Sequence, residues 1–212
     1  MKQILNIVVA VIFLFSCADL ERERQLAEIK TLASRTDSLS VALKEHRIDT
    51  LASIQNTINN LELRIRNNYT ADTISESLGL KMEEFRMLKK FFLVKHEEEG
   101  EEEAREKNEN KSAINLNKET LGSAYVILKR GIQSEKKALN ALKSDVQNGF
   151  GKRNKYDEYI SFEKEKVHQL GVLLENYKTH KNSVLNRFEA VQTDLNNFAS
   201  GLEEKKALKG IN

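Results

Sequence analysis

Residues 156–202 read YDEYISFEKEKVHQLGVLLENYKTHKNSVLNRFEAVQTDLNNFASGL, and the spacing of their apolar side chains decides the fold. From Tyr156, alternating steps of four and three reach Ile160, Glu163, Val167, Leu170, Leu174, Tyr177, Lys181, Val184, Phe188, Val191, Leu195, Phe198 and Leu202. Only Glu163 and Lys181 are polar. A four-three alternation averages ~3.5 residues, the period that keeps one helical face on a partner helix over many turns. A second series begins at Leu121 and runs through Tyr125, Leu128, Ile132, Glu135, Leu139, Leu142 and Val146, interrupted only by Glu135. Asn148-Gly149-Phe150-Gly151 lies between the two, a helix stop followed by a turn. The pattern predicts an all-α fold built on a long antiparallel helical hairpin, 119–147 against 153–204, in a coiled-coil-like bundle.

The two arms differ in length. At ~1.5 Å per residue, 156–202 spans roughly 70 Å and 121–146 roughly 40 Å. The excess from Thr179 onward must cover Val184, Phe188, Val191, Leu195 and Phe198 with something else. Ile74, Leu78, Met82, Phe85, Leu88 and Phe92 line one face of a helix expected to start near Asp72 or Thr73, and they are the expected cover. Phe91 and Leu93 widen that stripe.

Upstream, Ile29, Leu32, Thr36, Leu39 and Leu43 keep one register, and Leu51, Ile54, Ile58, Leu61 and Ile65 keep another. The phase slips around Glu45-His46-Arg47-Ile48, and Asn67-Asn68-Tyr69-Thr70 ends the second series. Residues 17–69 thus read as a long helix or stalk, with 20–45 weakly paired. The bundle occupies 70–212. It includes an acidic loop near 97–118, where Glu97, Glu98, Glu99, Glu101, Glu102, Glu103 and Glu106 cluster.

Composition agrees. The 212 residues contain no proline, where about ten are expected at an average usage of ~5%. Nothing therefore forces a helix break. Charged residues make up 31% and apolar ones 40%, a balance that suits helices burying a narrow stripe. A net charge of +2 is near neutral, so the whole-molecule field argues for no strong nucleic-acid or anionic-surface partner.

Chemistry-bearing patterns are sparse. His46, His96, His168 and His180 form no metal pair, and His168 and His180 point roughly 120° apart on one helix. The chain has no HExxH, CxxC or glycine-rich phosphate loop. The glutamate run lacks the alternating ligands of a calcium loop. From Lys118 to Lys155 nine Lys/Arg stand against three Asp/Glu, a basic stretch that either pairs with the acidic run or meets a partner. Tyr156, Tyr159, Phe162 and Phe150 are expected to pack the closed end of the hairpin. No catalytic residue, cofactor, metal or small-molecule substrate is indicated, and a non-enzymatic protein is expected.

The address comes from the other end of the chain. Met1-Lys2-Gln3 is a short basic start, and Ile4 to Phe15 is apolar except for Asn6. This is shorter than the roughly 20 apolar residues of a spanning helix and suits a signal-peptide core. Leu14-Phe15-Ser16-Cys17, with the only cysteine, resembles the lipobox of bacterial lipoprotein signal peptides. The resemblance implies a cleaved leader, 1–16, and an acylated Cys17 that ties the protein to a lipid bilayer. Two or three acyl chains hold firmly, since each buried methylene contributes ~0.8 kcal/mol. Ala18 stands where enteric lipoproteins retained at the inner membrane carry Asp, so the resemblance favours the outer membrane, on its periplasmic or its surface face. Asp37-Ser38-Leu39, Asp49-Thr50-Leu51 and Asp72-Thr73-Ile74 resemble an O-glycosylation signal of Gram-negative extracytoplasmic proteins, with Ser38, Thr50 and Thr73 as acceptors.

Together these imply an envelope lipoprotein acting as a helical spacer, scaffold or adaptor, meeting a protein partner or a second copy through its helical seams. An alternative is a noncovalent cell-wall tether. The chain does end in Lys209-Gly210-Ile211-Asn212 and not in the lysine that the wall-linked helical lipoprotein uses for attachment. A more distant alternative is a periplasmic holdase.

Overall fold

The computed structural model describes residues 2–47, 51–69, 75–92 and 120–208, with side chains from Leu20 onward. It is all-α: α1 (Lys2–Glu45), α2 (Leu51–Asn68), α3 (Glu76–Lys89) with a 3₁₀ turn at Lys90–Phe92, α4 (Leu121–Asn148) and α5 (Tyr156–Leu208). No strand occurs among the described residues. The chain divides into two compact units, Met1–Glu45 with Leu128–Leu174 and His46–Ile127 with Glu175–Asn212.

In the first unit the periodic faces of α4 and α5 close on each other and on α1. Leu139, Leu142, Val146, Tyr156, Ile160 and Val167 share one core with Ile29 and Leu32. Residues 20–45, expected as a weakly paired stalk, are therefore a packed wall of this unit. Ile29 is 1% exposed and Thr36 fully buried. The stripe Ile29, Leu32, Thr36 and Leu43 is as regular as those of α4 and α5; its exposed faces are polar, which made it look solvated. α1 runs parallel to α5: Arg24 reaches Asp157 at 2.7 Å, and Leu39 lies against Gly171. It runs antiparallel to α4, where Lys136 pairs with Asp37.

The turn between α4 and α5 is built by glycine. Gly149 and Gly151 take φ of +68° and +75°, a left-handed backbone that costs other residues ~1–2 kcal/mol. The Phe150 N–H donates to the Asp145 carbonyl at 2.9 Å, closing a Schellman stop at the end of α4. Tyr156 OH stands within hydrogen-bond reach of two carbonyls, Asp145 at 3.0 Å and Phe150, which share its one proton and fasten the turn to the first residue of α5. At the start of α5, Asp157 and Glu158 place negative charge where the helix dipole favours it.

The second unit collects Ile58, Leu61 and Ile65 of α2, Leu78, Phe85, Leu88 and Phe92 of the α3 region, Leu121 and Ala124 of α4, and the buried face of α5 from Tyr177 to Ala199. The expected cover for the far half of α5 is found. Phe188 stacks on Phe85 at 5.8 Å and meets Phe92 edge-on at 5.1 Å. Phe198 is only half buried; Ala199 takes the innermost place at that level. α3 starts at Glu76, with Ser75 as its N-cap accepting from the Leu78 N–H, instead of at Asp72 or Thr73, which lie outside the described residues. The acidic run 97–106 also lies outside them.

Candidate functional site

The polar residues that interrupt the seams are the features a purely structural rod would lack. Two of them meet. Glu135 of α4, 4% exposed, faces Glu163 of α5, and Lys166 one turn further reaches the Glu163 carboxylate at 3.0 Å. Burial first, then the neighbouring Glu163 charge, push the Glu135 carboxyl up to about 7, with Lys166 pulling the other way. Glu135 Oε1 and Glu163 Oε2 are buried without a hydrogen-bond partner of good geometry. A buried carboxylate beside a second one ionises only at a cost, so Glu135 keeps its proton well above the usual carboxylate range. α1 adds a third polar group at the same level. Lys136, beside Glu135, pairs with Asp37, beside the buried Thr36, whose hydroxyl donates to the Leu32 carbonyl at 2.9 Å. This polar layer can store a proton and mark helix register, but Glu135 is too deeply buried to reach a substrate.

The third interruption, Lys181, lies in the second unit. Its Nζ stands 3.3 Å from His46 Nδ1 and 3.4 Å from the His46 carbonyl, to which Tyr177 OH also donates at 3.3 Å. Burial lowers the Lys181 ammonium from its ordinary value and raises the Tyr177 phenol. His180 faces the edge of Phe91 at 5.1 Å with its Nε2 buried and unpartnered, and burial holds it below its ordinary value. A neutral imidazole beside a ring is a packing group.

The aromatic cluster at the closed end of the hairpin does not pack as one. Only Tyr156 enters the core; Phe150 and Phe162 are each 61% exposed and Tyr159 is 40% exposed. Tyr156 continues the inward series, whereas at ~100° per residue Tyr159 falls about 60° and Phe162 about 120° round the helix from it. Lys166 Nζ lies 4.4 Å from the Phe162 ring centre. An open groove beside α1 and α5 is lined by Arg35, Phe162, Glu165 and His168 among others.

Of the residues marked for modification, Ser38 is exposed on α1 with its hydroxyl donating to the Ser34 carbonyl at 3.0 Å. Thr50 and Thr73 lie outside the described residues, as does the side chain of Cys17. Among the described residues no group of three or more His, Cys, Asp or Glu could hold a metal ion, and no helix is long and apolar enough to cross a membrane. Sequence reasoning recognised Glu135 and Glu163 as breaks in two seams but did not bring them together. The signal was there: from the turn at 149–151, Glu135 and Glu163 stand at nearly equal distance along the two arms of a hairpin. Comparison with protein-family models, curated proteins and solved structures finds no match to this chain.

Proposed function

We propose that the protein is a non-enzymatic lipoprotein of the cell envelope, held at a bilayer, with the outer membrane favoured, through an acylated Cys17. Its helical body serves as a spacer, scaffold or adaptor for a protein partner. The observation that carries this reading is the run Leu14-Phe15-Ser16-Cys17, closing a short apolar leader and joined to a charged sequence that is predominantly helical among the described residues. Support comes from how the helices use their apolar residues. The seam positions of α1, α4 and α5 are spent on packing, and Glu135 is buried among them. Contact with a partner then falls to exposed positions such as Val41, Leu63, Leu80 and Met87. Helix faces carrying isolated apolar side chains suit docking to another helix better than binding a small molecule.

The test is metabolic labelling with radioactive palmitate and fractionation of cells carrying wild type or Cys17→Ser. Label on the wild type alone, with the variant released from the membrane fraction, is the expected result. Equal labelling of both forms overturns the reading. Crosslinking in intact cells then identifies the partner, and recovery of wall fragments in place of a protein would favour the wall-tether alternative.

A further inference from the structure

The first unit places the turn of the hairpin at the same end as Cys17. Arg24 and Gln25 of α1 bond to Asp157 in the first turn of α5, at 2.7 and 2.9 Å, and α1 runs parallel to α5 from there. Seven residues of helix separate Cys17 from Arg24, roughly 10 Å of rise. The turn 149–155 precedes Asp157 on the same side. That turn joins an exposed aromatic ring to exposed cations. Phe150 is 61% exposed, and Leu20, one turn of α1 beyond Cys17, is 71% exposed. Lys152, Arg153 and Lys155 follow with no acidic residue between Gly149 and Lys155. Lys155 is engaged by Glu158 at 3.2 Å, while Lys152 and Arg153 stand exposed, Arg153 donating to the Gly149 carbonyl.

We propose that this turn is a second membrane contact: Phe150 and Leu20 enter the headgroup region of the leaflet that holds the Cys17 lipid, and Lys152 and Arg153 face its anionic phosphates. The inference rests on the acylation of Cys17, and it adds what the lipid alone cannot supply, a fixed orientation of the first unit. An acyl chain is a flexible tether; an aromatic ring and two cations at the same end of the unit make a second point of hold. Each basic residue near an anionic surface adds attraction that salt screens.

The experiment uses the acylated protein purified from membranes, with Asn154→Cys in the turn or Gln169→Cys further along α5 as dye sites. Both positions are exposed. It is inserted in phosphatidylglycerol–phosphatidylethanolamine vesicles containing headgroup spin-labelled lipid. Quenching at residue 154 well above that at residue 169, and its loss in the Phe150→Ser, Lys152→Glu background, is the expected result. Equal quenching at the two sites, or quenching at 154 indifferent to those substitutions, overturns the proposal while leaving acylation intact. Energy transfer between copies labelled at 154, in place of lipid quenching, also overturns it, since the turn would then face a second copy. Two dyes per chain would show Cys17 unmodified, and the proposal would fall with the reading beneath it.

Discussion

Glu135 on α4 and Glu163 on α5 face each other in the core of the first unit, and the proton they hold ties that unit's stability to pH. The folded-state value of Glu135 lies near 7, against an ordinary 4.5. The folded protein therefore binds a proton that the unfolded chain releases at lower pH. This contribution is fully present below pH 4.5 and is lost as the pH rises to about 7. The charged group acting on the pair is Lys166 on α5; Asp37 on α1 and Lys136, next to Glu135 in sequence, neutralise one another. The shift corresponds to a loss of about 3 kcal/mol across that window. Urea unfolding at pH 5 and pH 8 measures it. Glu135→Gln, which keeps a donor toward Glu163 at every pH, should flatten the slope and leave the protein more stable than wild type at pH 8. A variant with the wild-type slope would show that the pair does not control it.

At the acid end the direction reverses. Asp157, lowered by its bonds to Gln25 and Arg24, and Glu203, lowered by Arg64, contribute stability at higher pH that fades as the pH falls through the carboxylate range. Both groups are exposed, so these contributions are small beside that of Glu135. Stability should peak in mildly acidic solution, and a maximum at pH 8 would contradict the assignment.

The periodicity of residues 156–202 was legible because a helical seam needs nothing beyond the chain's own spacing. Of its fourteen positions, those from Tyr156 to Leu195 that read as apolar are buried or half buried. What spacing does not carry is the identity of the partner. Ile29 and Leu32 announced a helical face, but their place against Leu139 and Val167 depends on the turn geometry and on the Arg24–Asp157 pair. The same limit hid the meeting of Glu135 and Glu163. The aromatic cluster misled for another reason: Tyr156, Tyr159 and Phe162 are near in sequence, yet at ~100° per residue only the first points inward.

Phe188 is the anchor of the second unit. It is 4% exposed and lies between the rings of Phe85 and Phe92. Phe188→Ala should cost ~3–5 kcal/mol, the loss of a large buried ring plus the cavity left behind. Phe162→Ala, at a site 61% exposed, should stay within about 0.5 kcal/mol of wild type. Chemical denaturation of the two variants compares them directly; similar midpoints would remove Phe188 from its central place.

Leu139 tests the pairing of α4 in the first unit. It is 1% exposed and sits mid-helix among Ile29, Leu142 and Val167. Leu139→Pro deletes an amide donor, clashes with the preceding turn and empties the core position, at a cost of ~3 kcal/mol or more. Circular dichroism should show a lower melting temperature and a loss of helical signal. An unchanged melting curve would mean that α4 is not held as described.

The two glycines of the turn separate backbone strain from steric crowding. Both have positive φ, so alanine at either position carries the left-handed penalty of ~1–2 kcal/mol. A Cβ at Gly151 would meet open space, whereas one at Gly149 would run into the Arg153 guanidinium. Gly149→Ala must therefore also displace Arg153 and break its bond to the Gly149 carbonyl. It should be the more damaging of the two in urea unfolding. Gly149→Asn should recover part of the backbone cost, because asparagine tolerates the left-handed region at a helix stop, but it leaves the crowding in place. If Gly149→Ala and Gly151→Ala proved equal, Arg153 would be free to swing away, and the turn would be held by the Tyr156 hydroxyl and the Schellman bond alone.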